Sequence, residues 1–425
     1  MSAAPAAEVY ARWAAPLVAG GILTDPWFEG EPRFDTAPVV LGRAQHARLL
    51  AAAEALAAAW DEGLRLCAAH PEWMDEFFKL TPHQKVMWAA SAPLWHGFAR
   101  VDLFETASGV VACELNSDTP TGQPESVLLS ARALQDHSGC SDPNAGLEAA
   151  FTGVVGAMAQ AFLPADAPRA VGLIYPTELT EDLPLIRLYT AWLESAGYQV
   201  VLGSPFNLRP SAGGGVSLFG IDCPVILRHY KTDWWGEREV VWGDDEPYAD
   251  GAALEEPLGL LLGAAASGRC VVLNPFGAVV AQNKKLMALL WEKLELLSAE
   301  SQATVRAHLP LTLRLEAVHR EQLVAQRQEW VLKSDYGCEG AEVVVGRASA
   351  PEEWLECLDK AAPGRFIVQR YFEAQRSPNG DTVNLGVYLY GGRAGGLYCR
   401  TQQGTGPTDL GARSAPCLVS ERDEP

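Results

Sequence analysis

The spacing of apolar positions changes several times along the chain and marks out its elements. Over 42–69 an Ala/Leu-rich stretch puts Leu49, Leu50, Leu56, Leu64 and Cys67 roughly on one face, which predicts a long helix. Residues 1–40 are Ala- and Pro-rich and read as irregular, and 71–95 reads as helix broken at Pro82 and Pro93. The pattern then becomes extended. Val101, Leu103 and Phe104, a turn at 107–109, and the run 110–115 predict a β-hairpin. A helix is expected over 125–135.

An α/β rhythm follows. The buried-type strand 170–175, a helix over 183–196 closed by Gly197, and a strand at 199–202 predict a βαβ unit with a parallel pair. The stretch 211–215 (SAGGG) reads as a loop, 225–230 as a strand, and the Trp-rich acidic stretch 234–245 as a loop over a site. Downstream, strands are expected at 270–273, 330–334, 342–345, 365–372, 383–389 and 394–400, with an amphipathic helix over 283–297. The polar tail from Thr401 reads as partly mobile. No internal repeat is present.

Composition narrows the function. At 425 residues the chain exceeds one ordinary hydrophobic core. Its 53 acidic against 33 basic residues give a formal charge of −20, which opposes nucleic-acid and anionic-membrane roles. No apolar run reaches the 18 residues of a membrane span, and the apolar N-terminal stretch lacks a basic start, so a cytoplasmic protein is expected. Nine scattered cysteines without CxxC, and histidines without HxH or HxxxH spacing, argue against disulfides and a His-based metal centre.

The chemistry-bearing residues begin on the hairpin. Glu114 and Asn116, two apart, share a strand face, and Asp102 can converge on them from the other strand. Two carboxylates and an amide oxygen form a hard oxygen set suited to Mg²⁺, with Arg100 on the same face as Asp102. The alternative is a solvent-facing hairpin. Lys333 ends an apolar strand before a glycine-containing loop, where an ammonium and backbone amides can surround phosphates. Lys284 opens a helix, and reads either as a phosphate ligand or as a lysine snorkelling from an amphipathic face. Backbone amides of 369–372 could read an adenine edge, or the stretch is simply structural. Arg400 at a strand end can clamp phosphate.

The motifs RVD (100–102), ELNSDTPT (114–121), HYKTDWW (229–235), QNKKLMALLW (282–291), VLKSDYGCEG (331–340), FIVQRYF (366–372) and GGRAGGLYCR (391–400) occur in one order over about 300 residues. In this order they resemble the glutathionylspermidine synthetase family. The resemblance implies an α/β (α+β) chain with a circularly permuted ATP-grasp fold, because the metal segment precedes the nucleotide lysines, and an additional βαβ lobe. The expected layout is a helical segment (1–99), the metal-binding hairpin with its adjoining helix (100–150), a substrate-binding lobe (151–265) and nucleotide-binding lobes (266–425).

By the same resemblance, Asp102, Glu114 and Asn116 hold two Mg²⁺ ions, and Lys284 and Lys333 contact ATP phosphates. Gln369, Arg370, Tyr371 and Phe372 border the adenine, and Arg100 and Arg400 stabilise the transferring phosphoryl group. Thr119, Thr121 and Thr232 match positions that contact the acid substrate. Glu181 and Asp182 fall near the polyamine-binding acids, or are helix-start acids favoured by the dipole. The chain departs from relatives at Cys338, where they usually carry Arg, and at 401–403, Thr-Gln-Gln, where they tend to be acidic. It reads as a stand-alone synthetase domain. The expected activity is an ATP- and Mg²⁺-dependent carboxylate–amine ligase. Its partners are a small-molecule or peptide acid and an amine such as a polyamine, and its oligomeric state is unassigned. The alternatives are a peptide or amino-acid ligase and a non-catalytic nucleotide-binding scaffold.

Overall fold

Charged residues inside an apolar strand need a sheet with two different faces, and the hairpin 98–116 belongs to one. In the computed structural model, which describes residues 6–91, 94–95, 97–235, 242, 244, 246, 254–337, 342–404 and 411–422, strands Phe98–Thr106 and Gly109–Asn116 pair antiparallel. Strands Thr382–Tyr390, Arg393–Gln402 and Arg413–Ala415 continue them into a five-stranded sheet. Ala99, Val101 and Leu103 lie opposite Leu389, Val387 and Leu385 on one face. These side chains join the main core with Leu49, Ala53, Leu56 and Trp60 of the helix Arg43–Ala69. That apolar burial leaves the other face, with Arg100 and Asp102, free to be polar.

A four-stranded parallel sheet in the order Val271–Leu273, Val225–Arg228, Ala170–Ile174, Gln199–Gly203 lies nearby in the chain's middle third. Its central unit is the expected one: Ala170–Ile174, helix Leu183–Ser195, then Gln199–Gly203 in parallel. A four-stranded antiparallel sheet combines Thr312–Arg314, Phe366–Arg370, Trp330–Ser334 and Val343–Val345. Three smaller sheets complete the described residues. No helix among them is long and apolar enough to cross a membrane.

Several expectations are corrected. The segment 1–40 contains a helix, Ala6–Ala19. The stretch 71–95 breaks at Pro82 as expected, into Trp73–Glu76 and Pro82–Ser91, and Pro93 lies outside the described residues. The amphipathic helix expected over 283–297 is Lys285–Glu292, followed by a separate 3₁₀ turn. SAGGG is a loop as expected, and it joins the paired strands Leu208–Pro210 and Val216–Leu218. The tail is not loose over its described part: Cys417–Ser420 is the middle strand between Val39–Leu41 and Cys140–Ser141. The loop with Cys338 and most of 234–245 lie outside the described residues.

Candidate active site

The polar face of the five-stranded sheet gathers five of the predicted residues by register alone. Asp102 pairs with Glu114 and Arg100 with Asn116 across the hairpin. Asp102 also faces Gly386, and Asn384 faces Arg400. Glycine is required at 386, since an added Cβ would stand 2.7 Å from Arg100 Cδ and 3.0 Å from Asp102 Oδ1.

Asp102 is the hub. Arg100 Nε donates to its Oδ1 at 2.7 Å, and Arg100 Nη2 to its Oδ2 at 3.1 Å. Arg400 Nη2 donates to the same Oδ2 at 2.9 Å and to Asn384 Oδ1 at 3.2 Å. The amide of Asn116 bridges the two carboxylates, with Nδ2 3.4 Å from Asp102 Oδ2 and 3.3 Å from Glu114 Oε1. Tyr398 lies against both guanidinium groups, with centroid distances of 5.3 and 5.6 Å.

Lys284 approaches Glu114 Oε2 at 3.6 Å and donates to the Gly337 carbonyl. Lys333 donates to Gln369 Oε1 at 2.8 Å and to the Cys113 carbonyl at 3.1 Å. Burial alone pushes Glu114 up, but Lys284, Lys333, Arg400 and Arg100 outweigh it and hold it down at about 2. Burial pushes Lys333 below its ordinary value. The donor set fits Mg²⁺: the oxygens are hard, Glu114 is ionised, and turning the Asn116 amide about its terminal bond presents Oδ1 between both carboxylates.

Beside this cluster a cavity of about 520 Å³ opens. Arg100, Glu114, Asn116, Thr119, Thr121, Glu181, Asp182 and Arg400 all border it. Asp182 Oδ1 stands 3.2 Å from His229 Nε2. Thr232 is not on the wall. It is buried, and its backbone N–H and hydroxyl donate to Asp118 Oδ2 at 2.7 and 3.1 Å.

The strand that ends in 369–372 is used differently from the sequence reading. The backbone amides of Arg370 and Tyr371 already donate to Leu311 O and Glu329 O, each at 2.8 Å, so neither is free for an adenine edge. Gln369 points inward, with Nε2 3.0 Å from Thr312 Oγ1. The Arg370 guanidinium stacks 4.2 Å over Trp330, Tyr371 lies under Arg347, and Phe372 packs on Phe104.

Sequence reasoning missed the residues that fix the loop 117–122. Gln282 Oε1 accepts the amides of Ser117 and Asp118 at 2.8 and 3.1 Å. Asn274 Nδ2 donates to the Ser117 and Asp118 carbonyls at 2.9 and 3.0 Å, while its Oδ1 accepts from Gly97 and Phe98. Arg228, fully buried, reaches Asp118 Oδ1 at 2.6 Å. Arg100 Nη1 and the Tyr388 hydroxyl hold the Thr121 carbonyl at 2.7 and 3.0 Å. One signal was available: Arg228 ends an otherwise apolar strand, and a charge buried there requires a partner.

No curated protein matches the chain. Among solved structures it is similar to a glutathione synthetase-like effector from Globodera pallida in its apo form. The TM-score is 0.61, over 97% of this chain and 96% of that chain, at 10% identity, a likeness of fold. A putative γ-glutamylcysteine synthetase from Methylobacillus flagellatus KT aligns over 87% of this chain and 86% of its own at 14% identity, with a TM-score of 0.47. Residues 249–420 match the glutathionylspermidine synthase pre-ATP-grasp family model, and four of the seven motifs that carry the resemblance (282–291, 331–340, 366–372 and 391–400) fall inside that match, bearing the resemblance out.

Proposed function

We propose that the chain is a carboxylate–amine ligase that consumes ATP and releases ADP. The observation that carries this reading is the convergence of Arg100, Arg400 and Lys284 on Asp102 and Glu114 at the edge of a cavity large enough for two small substrates. A carboxylate is a poor electrophile, and phosphorylation gives it a leaving group that an amine displaces, forming an amide and releasing phosphate. The site's part is positioning and charge neutralisation.

In this reading Lys284 and Lys333 draw the nucleotide phosphates toward the hairpin. Arg100 and Arg400 exchange part of their hold on Asp102 for the phosphoryl group in transfer. Asp102, Glu114 and Asn116 would hold Mg²⁺, which would supply further charge neutralisation on the phosphates. Thr119 and Thr121 face the acid. Glu181 and Asp182 form the negative wall suited to a cationic amine. Thr232 acts through Asp118, keeping that loop in place. The permuted ATP-grasp order, and a division at 99, 150 and 265, belong to this proposal.

The test is ADP release from the purified chain with ATP and Mg²⁺, first with glutathione and spermidine, then with pooled dipeptides, amino acids and polyamines. ADP that requires both an acid and an amine is the expected result. Glu114→Gln is the better control, because Asp102→Asn disturbs two arginines at once. ATP binding without ADP in any pool would replace the ligase by a nucleotide-binding scaffold.

A further inference from the structure

Amide formation needs a proton acceptor. An amine enters as its ammonium form and must lose a proton before its lone pair can attack an acyl carbon. The wall given to the amine carries one side chain suited to that task. His229 follows the strand Val225–Arg228, and its backbone N–H donates to the Ile174 carbonyl at 2.8 Å. It stands at the carboxyl ends of two parallel strands, the edge where open α/β sheets receive their ligands. Among the described residues it is the one imidazole that borders the cavity, and its side chain is 7% exposed.

The other groups on this wall are the wrong bases. Glu181 and Asp182 border the cavity from the 3₁₀ turn Thr180–Asp182, Lys231 and Asp233 from the segment after His229, and Asp118 from the loop 117–122, where Arg228 holds it. A carboxylate is too weak a base to keep a proton taken from an ammonium, and lysine and arginine already carry theirs. Burial pushes the phenols of Tyr336 and Tyr398 up, so they keep their protons as well. Imidazole exchanges a proton near neutral pH. Asp182 Oδ1 is 3.2 Å from Nε2, so the carboxylate accepts from Nε2–H and the lone pair is left on Nδ1. A carboxylate behind the ring also stabilises the imidazolium that forms when Nδ1 takes a proton.

We propose that His229 is the proton acceptor for the attacking amine. The inference rests on the ligase reading, which supplies the acyl phosphate. Nδ1 takes one proton from the ammonium, and the imidazolium pairs with Asp182. The freed lone pair forms the C–N bond, and the bond from the acyl carbon to the phosphate oxygen breaks with its electron pair on phosphate. The departing phosphate takes a second N–H proton, and the imidazolium returns its own to water. Asp182→Asn keeps an acceptor for Nε2–H, so that variant tests the charge of the wall and not the base.

Hydroxylamine is uncharged at neutral pH and traps an acyl phosphate as the hydroxamate without first losing a proton. Amide and hydroxamate formation by the full chain are therefore measured in parallel. The acids are glutathione and the pooled dipeptides and amino acids, and the nucleophiles are spermidine, the pooled polyamines and hydroxylamine. In wild type the ratio of amide to hydroxamate should rise with pH through the neutral range and then level. His229→Gln should lower that ratio by about 10²-fold at neutral pH, the lower end of what a positioned acid–base group contributes. The rise should then move to the alkaline range, where the amine sheds its proton to water. Thermal melting checks the fold of the variant, and the wild-type pH series needs no variant.

If amide and hydroxamate fall together in His229→Gln, the residue only ties the strand end to the turn, and the proposal is overturned with the ligase intact. A wild-type ratio that stays flat through the neutral range overturns it equally. Neither hydroxamate nor ADP from wild type with any acid would sink the ligase reading itself, and the role of His229 with it.

Discussion

The two sides of the candidate site are built in opposite ways. On the sheet side, each charge has several fixed partners: Asp102 takes two arginines, and Lys284 and Lys333 are tied to Glu114, Gly337, Gln369 and Cys113. The same density continues under the loop 117–122, through Arg228, Asn274 and Gln282. On the helix side, Glu181 and Asp182 sit in a 3₁₀ turn without a buried residue, and Asp182 is held by His229. The difference teaches that one side of the cavity is a preorganised charged frame, which the proposed function uses for phosphate, whereas the side it assigns to the amine is left adjustable. Preorganised charge costs stability unless every member is paired, and an adjustable wall costs little.

The largest effect expected is on folding. Asp118→Ala strands the buried Arg228 guanidinium and should cost about 3–5 kcal/mol in denaturant unfolding. A loss below about 1 kcal/mol would mean that the loop is not held as tightly as its bonds imply. Next, Glu114→Gln should slow ADP formation by about 10²–10³-fold, the scale of one lost electrostatic stabiliser. Turnover within a few-fold of wild type would remove Glu114 from the chemistry.

The frame also has a pH signature. Lys285, behind Lys284, donates to Phe78 O at 2.7 Å and lies 3.8 Å from Asp335, and burial pushes it down to about 8 from 10.5. Below pH 8 folded and unfolded chains both hold its proton, and the burial cost is full. Between about 8 and 10.5 the folded chain releases the proton while the unfolded chain keeps it, so stability rises with pH. Relative to Lys285→Met, wild type should gain at most about 3 kcal/mol across that window. Parallel stability curves for the two proteins would contradict it.

On the adjustable side, Asp182→Asn should leave stability within about 0.5 kcal/mol. It should raise KM for the amine about tenfold with kcat little changed, as loss of one charge-assisted contact does. A fall in kcat with KM unchanged would move Asp182 from binding into the chemistry.

What the sequence disclosed follows the same division. The hairpin was legible because alternation over 98–116 places Arg100 and Asp102 on one face, and pairing then needs only a short turn. Lys333 was legible from its place at the end of an apolar strand. Gly386 was not, because its reason is the pair across the sheet, nearly 300 residues away. The Asp118–Arg228 and Asn274 contacts join positions more than 100 residues apart and leave no period to detect. Thr232 was legible as a polar residue near the site, but whether its hydroxyl faces a ligand or Asp118 depends on packing. The tail strand Cys417–Ser420 was missed for a related reason: it is a short strand whose parallel neighbour is Val39–Leu41, at the other end of the chain.

The sheet order has a consequence for how the protein is made. Strands 98–116 are synthesised early, yet Asp102 meets Asn384's strand and Arg400 only after residues 382–402 have left the ribosome. Until then Asp102 has Arg100 beside it but lacks Arg400 and the strand that seats it from the other side. A nascent chain therefore lacks the completed cluster, and under the proposed function turnover would wait until residues 382–402 have folded onto the hairpin.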